Sequence, residues 1–486
     1  MTARLNLNAI GPLTAYEDAA AAVHEIRRIY DQSLARIGAG FRALVADPQA
    51  PGPVEAPYPY VAFSVAQEQL NVDARLSHSV FLEPGIYGTT LTRPDIFGSY
   101  YHEQISRLMH HHGCAVHVGP SATPIPLAFA APDASGAAAD FDYEALLDRS
   151  TKPDLWAIND AIANSTNRPL VDAPNPLSLF TAERVDYSIA RLHHYTGTAP
   201  GHFQSFVLFT NYQRYADAFV AYARAQLGAG EVNAFVGPGD IEIAAGGTID
   251  PDAFSRNLPQ MPAYHIKRPD GDGITLVNIG VGPSNAKTIT DHIAVLRPHC
   301  WLMVGHCAGL RRGQVLGDYV LAHGYVRADH VLDDDLPLWV PVPAIAEVQV
   351  ALAEATSLVT GLRDHELKTR LRTGTVATTD NRNWEIQLDT YFAAFNRSRA
   401  IAVDMESATV AANGFRFRVP YGTLLCVSDR PLHGQLKLRG MANEFYRTSI
   451  DQHIMIGIET MNILRRQGVE RLHSRKLRGF VEPGFR

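Results

Sequence analysis

Across residues 16–37 the apolar positions Val23, Ile26, Ile29, Tyr30, Leu34 and Ile37 recur at steps of three and four. This spacing predicts an amphipathic helix near the start of the chain. Shorter alternating runs follow at 58–65 and 77–81, then a helical pattern over 94–111 that Gly113 is placed to stop. The mixture predicts an α+β region. Between about 120 and 175 the chain turns rich in Pro, Ala and Asp (PSATPIPLAFAAPDASGAAAD, NRPLVDAPNP), the composition of surface connections. We expect an N-terminal α+β domain over 1–175, a linker over 176–199 and a second domain over 200–486.

After Gly201 the pattern changes. Short runs that are apolar on both faces, SFVLFT from Ser205, ITLVNI from Ile274, CWLMVG from Cys300 and TLLCVS from Thr423, alternate with helical segments, including ones starting near Tyr215 and Asn285. Strands buried on both faces and followed by helices predict an α/β domain with a largely parallel central sheet. Ligands of such sheets gather at the carboxyl ends of strands, so the residues that follow each run are the places to look for chemistry.

Composition narrows the functional classes. Of the 486 residues, 46% are hydrophobic and 19% charged, enough apolar content for large folded cores. A net charge of −7 supplies no basic field for nucleic acid or anionic membrane, so an anionic substrate would need local Arg or Lys. Cys114, Cys300, Cys307 and Cys426 are scattered without a CxxC pair, which signals neither a zinc site nor a disulfide framework and fits a reducing compartment. The first twenty residues lack the pattern of a secretory signal and no run approaches a transmembrane span, so a soluble, cytoplasmic protein is expected.

Four segments lie where the strand-end rule points. VNIGVGPSNAK (277–287) places Gly282 in a glycine turn and Ser284 at the start of a helix, an arrangement that serves equally as a structural βα turn or as an oxygen-ligand loop. VGHCAGLRR (304–312) puts His306 and then cations after another buried run. VDMESAT (403–409) sets Asp404 and Glu406 among small and apolar residues, and CVSDRP (426–431) sets Asp429 just past a strand, where it is either a reactive carboxyl or a helix N-cap.

These motifs resemble the purine nucleoside phosphorylase and nucleosidase superfamily, whose Met-Glu holds ribose hydroxyls and whose Ser-Asp serves the purine. The matching residues are Met405-Glu406 and Ser428-Asp429. The Gly-Asp-Pro-x-Arg phosphate loop of the phosphorylases corresponds to TNYQR (210–214), which retains only Arg214, and the arginine of their Arg-Val-Gly-Ser loop is replaced by Met303, its serine by His306. Both departures argue against an inorganic-phosphate site of the phosphorylase kind. At full length, through HYTGT, VLFTNYQRY, GDYVLAH, YGTLLCVSD and RLHSRKLR, the chain resembles the AMP nucleosidases.

That resemblance implies a nucleoside phosphorylase-like sheet flanked by helices, preceded by a regulatory domain. It implies hydrolysis of AMP to adenine and ribose 5-phosphate, a step of purine salvage, with no cofactor. ATP as activator, phosphate as inhibitor and a homohexamer are implied in the same way. Asp429 would protonate the purine and Glu406 would bind ribose, with Asp404 supporting the hydroxyl network or capping a turn. Trp384 stands near the family's purine-stacking aromatic or is a core residue. Arg214, Arg311, Arg382 and Lys437 are the cations considered for the 5′-phosphate. Asp240 and Glu242 are either water-activating bases or part of a solvated loop, and His110–His112 either metal ligands or ordinary helix-end histidines. The competing readings are a phosphate-dependent phosphorylase and a non-catalytic nucleotide sensor; a sensor would be expected to have lost Glu406 or Asp429.

Overall fold

The computed structural model describes residues 8–47, 56–130, 148, 150–167, 173–250, 254, 258–436, 443–472 and 475–486. The chain divides into two compact units, one formed by 1–190 with 478–486 and the other by 191–477. The division falls inside the segment expected as a linker, which carries a helix, Ala182–Thr196.

In the N-terminal unit the strands are β1 (Thr14–Tyr16), β2 (Pro57–Val65), β3 (Gly85–Thr90), β4 (Val116–Pro124) and β5 (Asn175–Pro176), in the order β1-β4-β2-β3-β5. The pairings are antiparallel except β3 with β5. The predicted first helix runs Ala19–Ala46, and Asp18 caps it by accepting the Ala21 N–H at 2.8 Å. Ile26, Ile29, Tyr30 and Ile37 of its apolar stripe are buried. The second helix, Pro94–His112, ends as expected at Gly113, which takes the left-handed conformation with φ 58°. Two of the three histidines at its end are engaged locally: His111 Nδ1 lies 2.7 Å from the Ser79 carbonyl, and His112 bonds the backbone of Gln69 and Phe81. Among the described residues no cluster of His, Cys, Asp and Glu could hold a metal ion.

In the second unit the strands are β6 (Phe206–Thr210), β7 (Ala234–Gly237), β8 (Ile241–Ala244), β9 (Ala263–Lys267), β10 (Ile274–Asn278), β11 (Cys300–Gly309), β12 (Tyr319–Ala328), β13 (Leu371–Thr379), β14 (Ala402–Asp404) and β15 (Tyr421–Asp429). They form a ten-stranded sheet in the order β14-β13-β12-β15-β11-β6-β10-β9-β7-β8. The apolar runs read from the sequence are its centre: β6 and β11 are buried along their whole length. The sheet is mixed rather than largely parallel. The pairs β10–β6, β6–β11, β11–β15, β12–β13 and β13–β14 are parallel, but β12 is antiparallel to β15, β14 to β11 and β10 to β9, and β7, β8 and β9 pair antiparallel. Short returns such as β7 to β8 permit antiparallel pairing, whereas parallel strands need a long crossover.

β14 pairs with both β13 and β11, so β11, β15, β12, β13 and β14 close on themselves. Closure brings distant segments together at one residue: Ala308 on β11 is in register with Val403 of β14 and Asp429 of β15. Among the described residues no helix is long and apolar enough to cross a membrane.

Candidate active site

A cavity of about 590 Å³ opens where β6, β11, β14 and β15 end, and Asn211, His306, Trp384, Met405, Glu406 and Asp429 are among the residues lining it. Its volume is within the range of small-molecule sites. Each lining residue is placed by a feature of the backbone.

Glu406 is the residue before the helix Ser407–Phe417, and it is fully buried. Each of its carboxyl oxygens meets a donor: the Gly282 N–H reaches Oε1 at 2.7 Å and Asn211 Nδ2 reaches Oε2 at 2.9 Å. Gly282 adopts φ 121°, ψ 151°, a conformation essentially reserved to glycine. Its N–H is thereby turned to the carboxyl from the turn before the helix Pro283–Ile293. Asn211, the residue after β6, has an Oδ1 that is buried without a hydrogen-bond partner among the described residues.

Asp404 stands at the end of β14 behind Glu406. It accepts from the Ser407 N–H at 2.9 Å, from the Ser407 hydroxyl, and from Thr378 Oγ1 at 2.6 Å. Thr378 in turn accepts the Ala408 N–H at 2.9 Å, so Asp404 ties β13 to the first turn of the helix. Burial in a low-dielectric interior raises both carboxyl pKa values, and at Glu406 the Asp404 charge adds to the desolvation. The pair resists carrying two negative charges at once.

Ser428 and Asp429 end β15. The register between β11 and β15 runs Cys307 to Val427 and then Ala308 to Asp429. Ser428 is therefore an extra residue, and such a bulge re-aims the side chains around it. The Ser428 hydroxyl lies 2.5 Å from Asp429 Oδ1 and 3.3 Å from the Cys307 carbonyl, which orients the carboxyl. His306 is buried between Tyr212 and Tyr215, with ring centroids at 4.9 and 5.5 Å. Trp384 serves two surfaces at once. It packs edge-on against Phe395 with centroids 5.5 Å apart, inside an apolar cluster with Val403 and Leu310, and it also walls the cavity.

Of the residues singled out from the sequence, Glu406, Asp429, Met405, Ser428, His306 and Trp384 share this cavity, and Gly282 supports Glu406 from outside its wall. Ser284 is exposed on the helix after Gly282 and Arg214 is exposed on the helix Gln213–Gly228; neither lines the cavity. Lys437 lies outside the described residues. Among the cations considered for the phosphate, Arg382 lines this cavity and Arg311 a different one. Asp240 and Glu242 sit on the β7–β8 hairpin near His202, away from the cavity lining. Asn211, inside TNYQR, and Thr378 carry no role of their own in the sequence reading. Asn211 was findable, since it directly follows the buried run 205–210, but nothing local ties it to a residue 195 positions away.

The closed sheet, the buried carboxyl pair after β14 and the Ser-Asp end of β15 define a protein of the nucleoside phosphorylase class. A family model described as phosphorylase superfamily matches residues 259–453, and one described as bacterial AMP nucleoside phosphorylase N-terminus matches 21–174. Over 420 residues, 84% of this chain and 84% of the relative, the sequence is 53% identical to the AMP nucleosidase of Escherichia coli strain K12, with the same figures for that of E. coli O157:H7. The chain belongs to the AMP nucleosidase family. The crystal structure of AMP nucleosidase from Bacteroides thetaiotaomicron VPI-5482 shares 28% identity and covers 58% of this chain and 98% of its own, at a TM-score of 0.42.

Proposed function

We propose that this protein hydrolyses the N-glycosidic bond of AMP to adenine and ribose 5-phosphate, with Asp429 as the proton donor to the purine and Glu406 as the ribose ligand. The observation that carries this reading is the convergence of two carboxyl groups of different character on one cavity, one doubly held by N–H donors and one at a strand-end bulge.

Cleavage sends the C1′–N9 electron pair into the purine and leaves an oxocarbenium-like sugar. Asp429 transfers its proton to N7, so the base departs neutral. Water adds its oxygen to C1′, and the proton it releases restores Asp429. In its ionised form Glu406 uses the lone pairs not taken by Gly282 and Asn211 to accept from the ribose hydroxyls, which fixes the sugar and puts negative charge beside the developing cation. Trp384 offers an apolar wall for the purine. Arg382 is the cation suited to the 5′-phosphate.

Water is favoured over phosphate as nucleophile because the position that carries an arginine in the phosphorylases is Met303, an apolar side chain sealed inside β11. The same family reading extends to a regulatory role for the N-terminal unit, activation by ATP, inhibition by phosphate and a homohexamer in the cytoplasm. Incubating the protein with AMP in phosphate-free buffer and separating the products tests the reaction. Adenine with ribose 5-phosphate is expected, and strict dependence on added phosphate would make the protein a phosphorylase.

A further inference from the structure

The catalytic unit has a second concavity whose chemistry differs from the first. It encloses about 360 Å³ and is walled by Arg311, Gln314, Lys368, Leu371, Arg372 and Ile401. It shares no lining residue with the 590 Å³ cavity, and no carboxylate is among its walls.

Gln314 lines this cavity and carries a buried donor without a partner among the described residues. The residue is only 2% exposed, and its Oε1 accepts the Arg311 N–H at 2.8 Å. That bond fixes which end of the amide is oxygen. Nε2 is then a buried donor, and it has no hydrogen-bond partner among the described residues. A buried amide N–H left unpaired is costly and calls for an acceptor.

The cations supply the charge. Arg372 is partly committed, with Nε 3.3 Å from buried Asp318 and a second nitrogen donating to the Gly313 carbonyl at 2.7 Å. Arg311 and Lys368 have no ion-pair partner among the described residues. The positive charge left after Asp318 matches a dianion. A phosphate monoester carries close to that charge at neutral pH and presents oxygens able to accept several N–H bonds at once. The volume exceeds what a bare phosphate fills, and Leu371 and Ile401 give the remainder an apolar flank.

We propose that this cavity is a second anion site, which binds the phosphate of a small organic phosphate monoester through Arg311, Lys368, Arg372 and Gln314 Nε2, with the organic part against Leu371 and Ile401. It is independent of the reaction assigned to the first cavity.

Phenyl phosphate is a suitable probe, since it combines the dianion with an apolar ring and is not a nucleotide. Calorimetric titration of the full chain should reveal a phenyl phosphate site that weakens at least about tenfold in Lys368→Ser and in Gln314→Met, through loss of one charge-assisted or buried donor. Arg382→Ser, in the first cavity, should leave that site intact. Inorganic phosphate should bind there more weakly than phenyl phosphate, and Lys368→Ser should turn over AMP at the wild-type rate in phosphate-free buffer. Three results would overturn the proposal: no binding by the wild-type chain at millimolar probe, unchanged affinity in both Lys368→Ser and Gln314→Met, or loss of binding in Arg382→Ser alone. Equal or tighter binding of inorganic phosphate would overturn the assignment to an organic ester.

Discussion

Asn211 donates its side-chain amide to Glu406 at 2.9 Å, so a residue at the end of β6 holds a carboxyl at the start of the helix Ser407–Phe417. The bond satisfies one oxygen of a fully buried acid. Replacing the amide by a third carboxyl, in Asn211→Asp, removes a donor and adds a like charge beside Glu406. We expect the acidic limb of the kcat/KM profile to move to higher pH, and kcat/KM at pH 7 to fall by about tenfold or more, as the loss of a hydrogen bond to a charged group implies. Initial rates from pH 5 to 9 check this; an unshifted limb would detach Asn211 from Glu406 ionisation.

Asp404 acts on the same group in the opposite sense. Its charge is the second cause of the raised Glu406 pKa, after desolvation. Asp404→Asn keeps the acceptor for the Ser407 N–H and can turn its new amide to Thr378, yet removes the repulsion. The acidic limb should move to lower pH, with a smaller effect on kcat at its plateau than on its position. A limb that stays in place would mean that Asp404 is electrostatically silent and serves the helix cap alone.

The raised acids also set a sign for stability. Because burial raises the folded pKa of both carboxyls, the folded protein holds protons that the unfolded chain would release. Their contribution is fully favourable below the ordinary carboxylate range, about pH 4, and is lost as pH rises through the raised values. Glu406→Gln removes this loss, and Asn211 can present its unpartnered Oδ1 to the new amide. Chemical denaturation should show the difference in stability, variant minus wild type, growing in the variant's favour from pH 5 to pH 8. A pH-independent difference would count against a raised Glu406.

Gly282 is the other support of Glu406, and its φ of 121° is the constraint. An added methyl would meet no atom within 4 Å, so Gly282→Ala tests backbone strain without a steric clash. The cost of holding a non-glycine residue there is about 1–3 kcal/mol, which the turn relieves by rotating the N–H away from Oε1. We expect a raised KM for AMP with the melting temperature nearly unchanged. Equal KM values would show that the 2.7 Å bond does not position the sugar ligand.

What the sequence made legible follows from range. Buried strands such as β6 and β11 announce themselves by continuous apolar runs, and helix ends such as Gly113 by residue type, because both are set within a few positions. Glu406 and Asp429 were visible through short motifs. The closing of β14 onto β11 depends on pairings about a hundred residues apart, and no local pattern encodes it; the bulge at Ser428 and the partnership of Asn211 with Glu406 were hidden for the same reason. Sequence reports charge but not which of two cavities a side chain lines, so Arg311 and Arg382 look alike as phosphate ligands until the fold separates them. The helix Ala182–Thr196 lies within the segment expected as a linker.

The central claim is that Asp429 supplies the proton that lets adenine leave. The most direct measurement compares wild type with Asp429→Asn for adenine release from saturating AMP in phosphate-free buffer, together with equilibrium binding of AMP to both. Loss of a general acid is worth about 10²–10⁴ in rate, so turnover should fall by that factor while the dissociation constant of AMP changes little. Near-wild-type turnover in the variant would contradict the account and remove Asp429 from the chemistry.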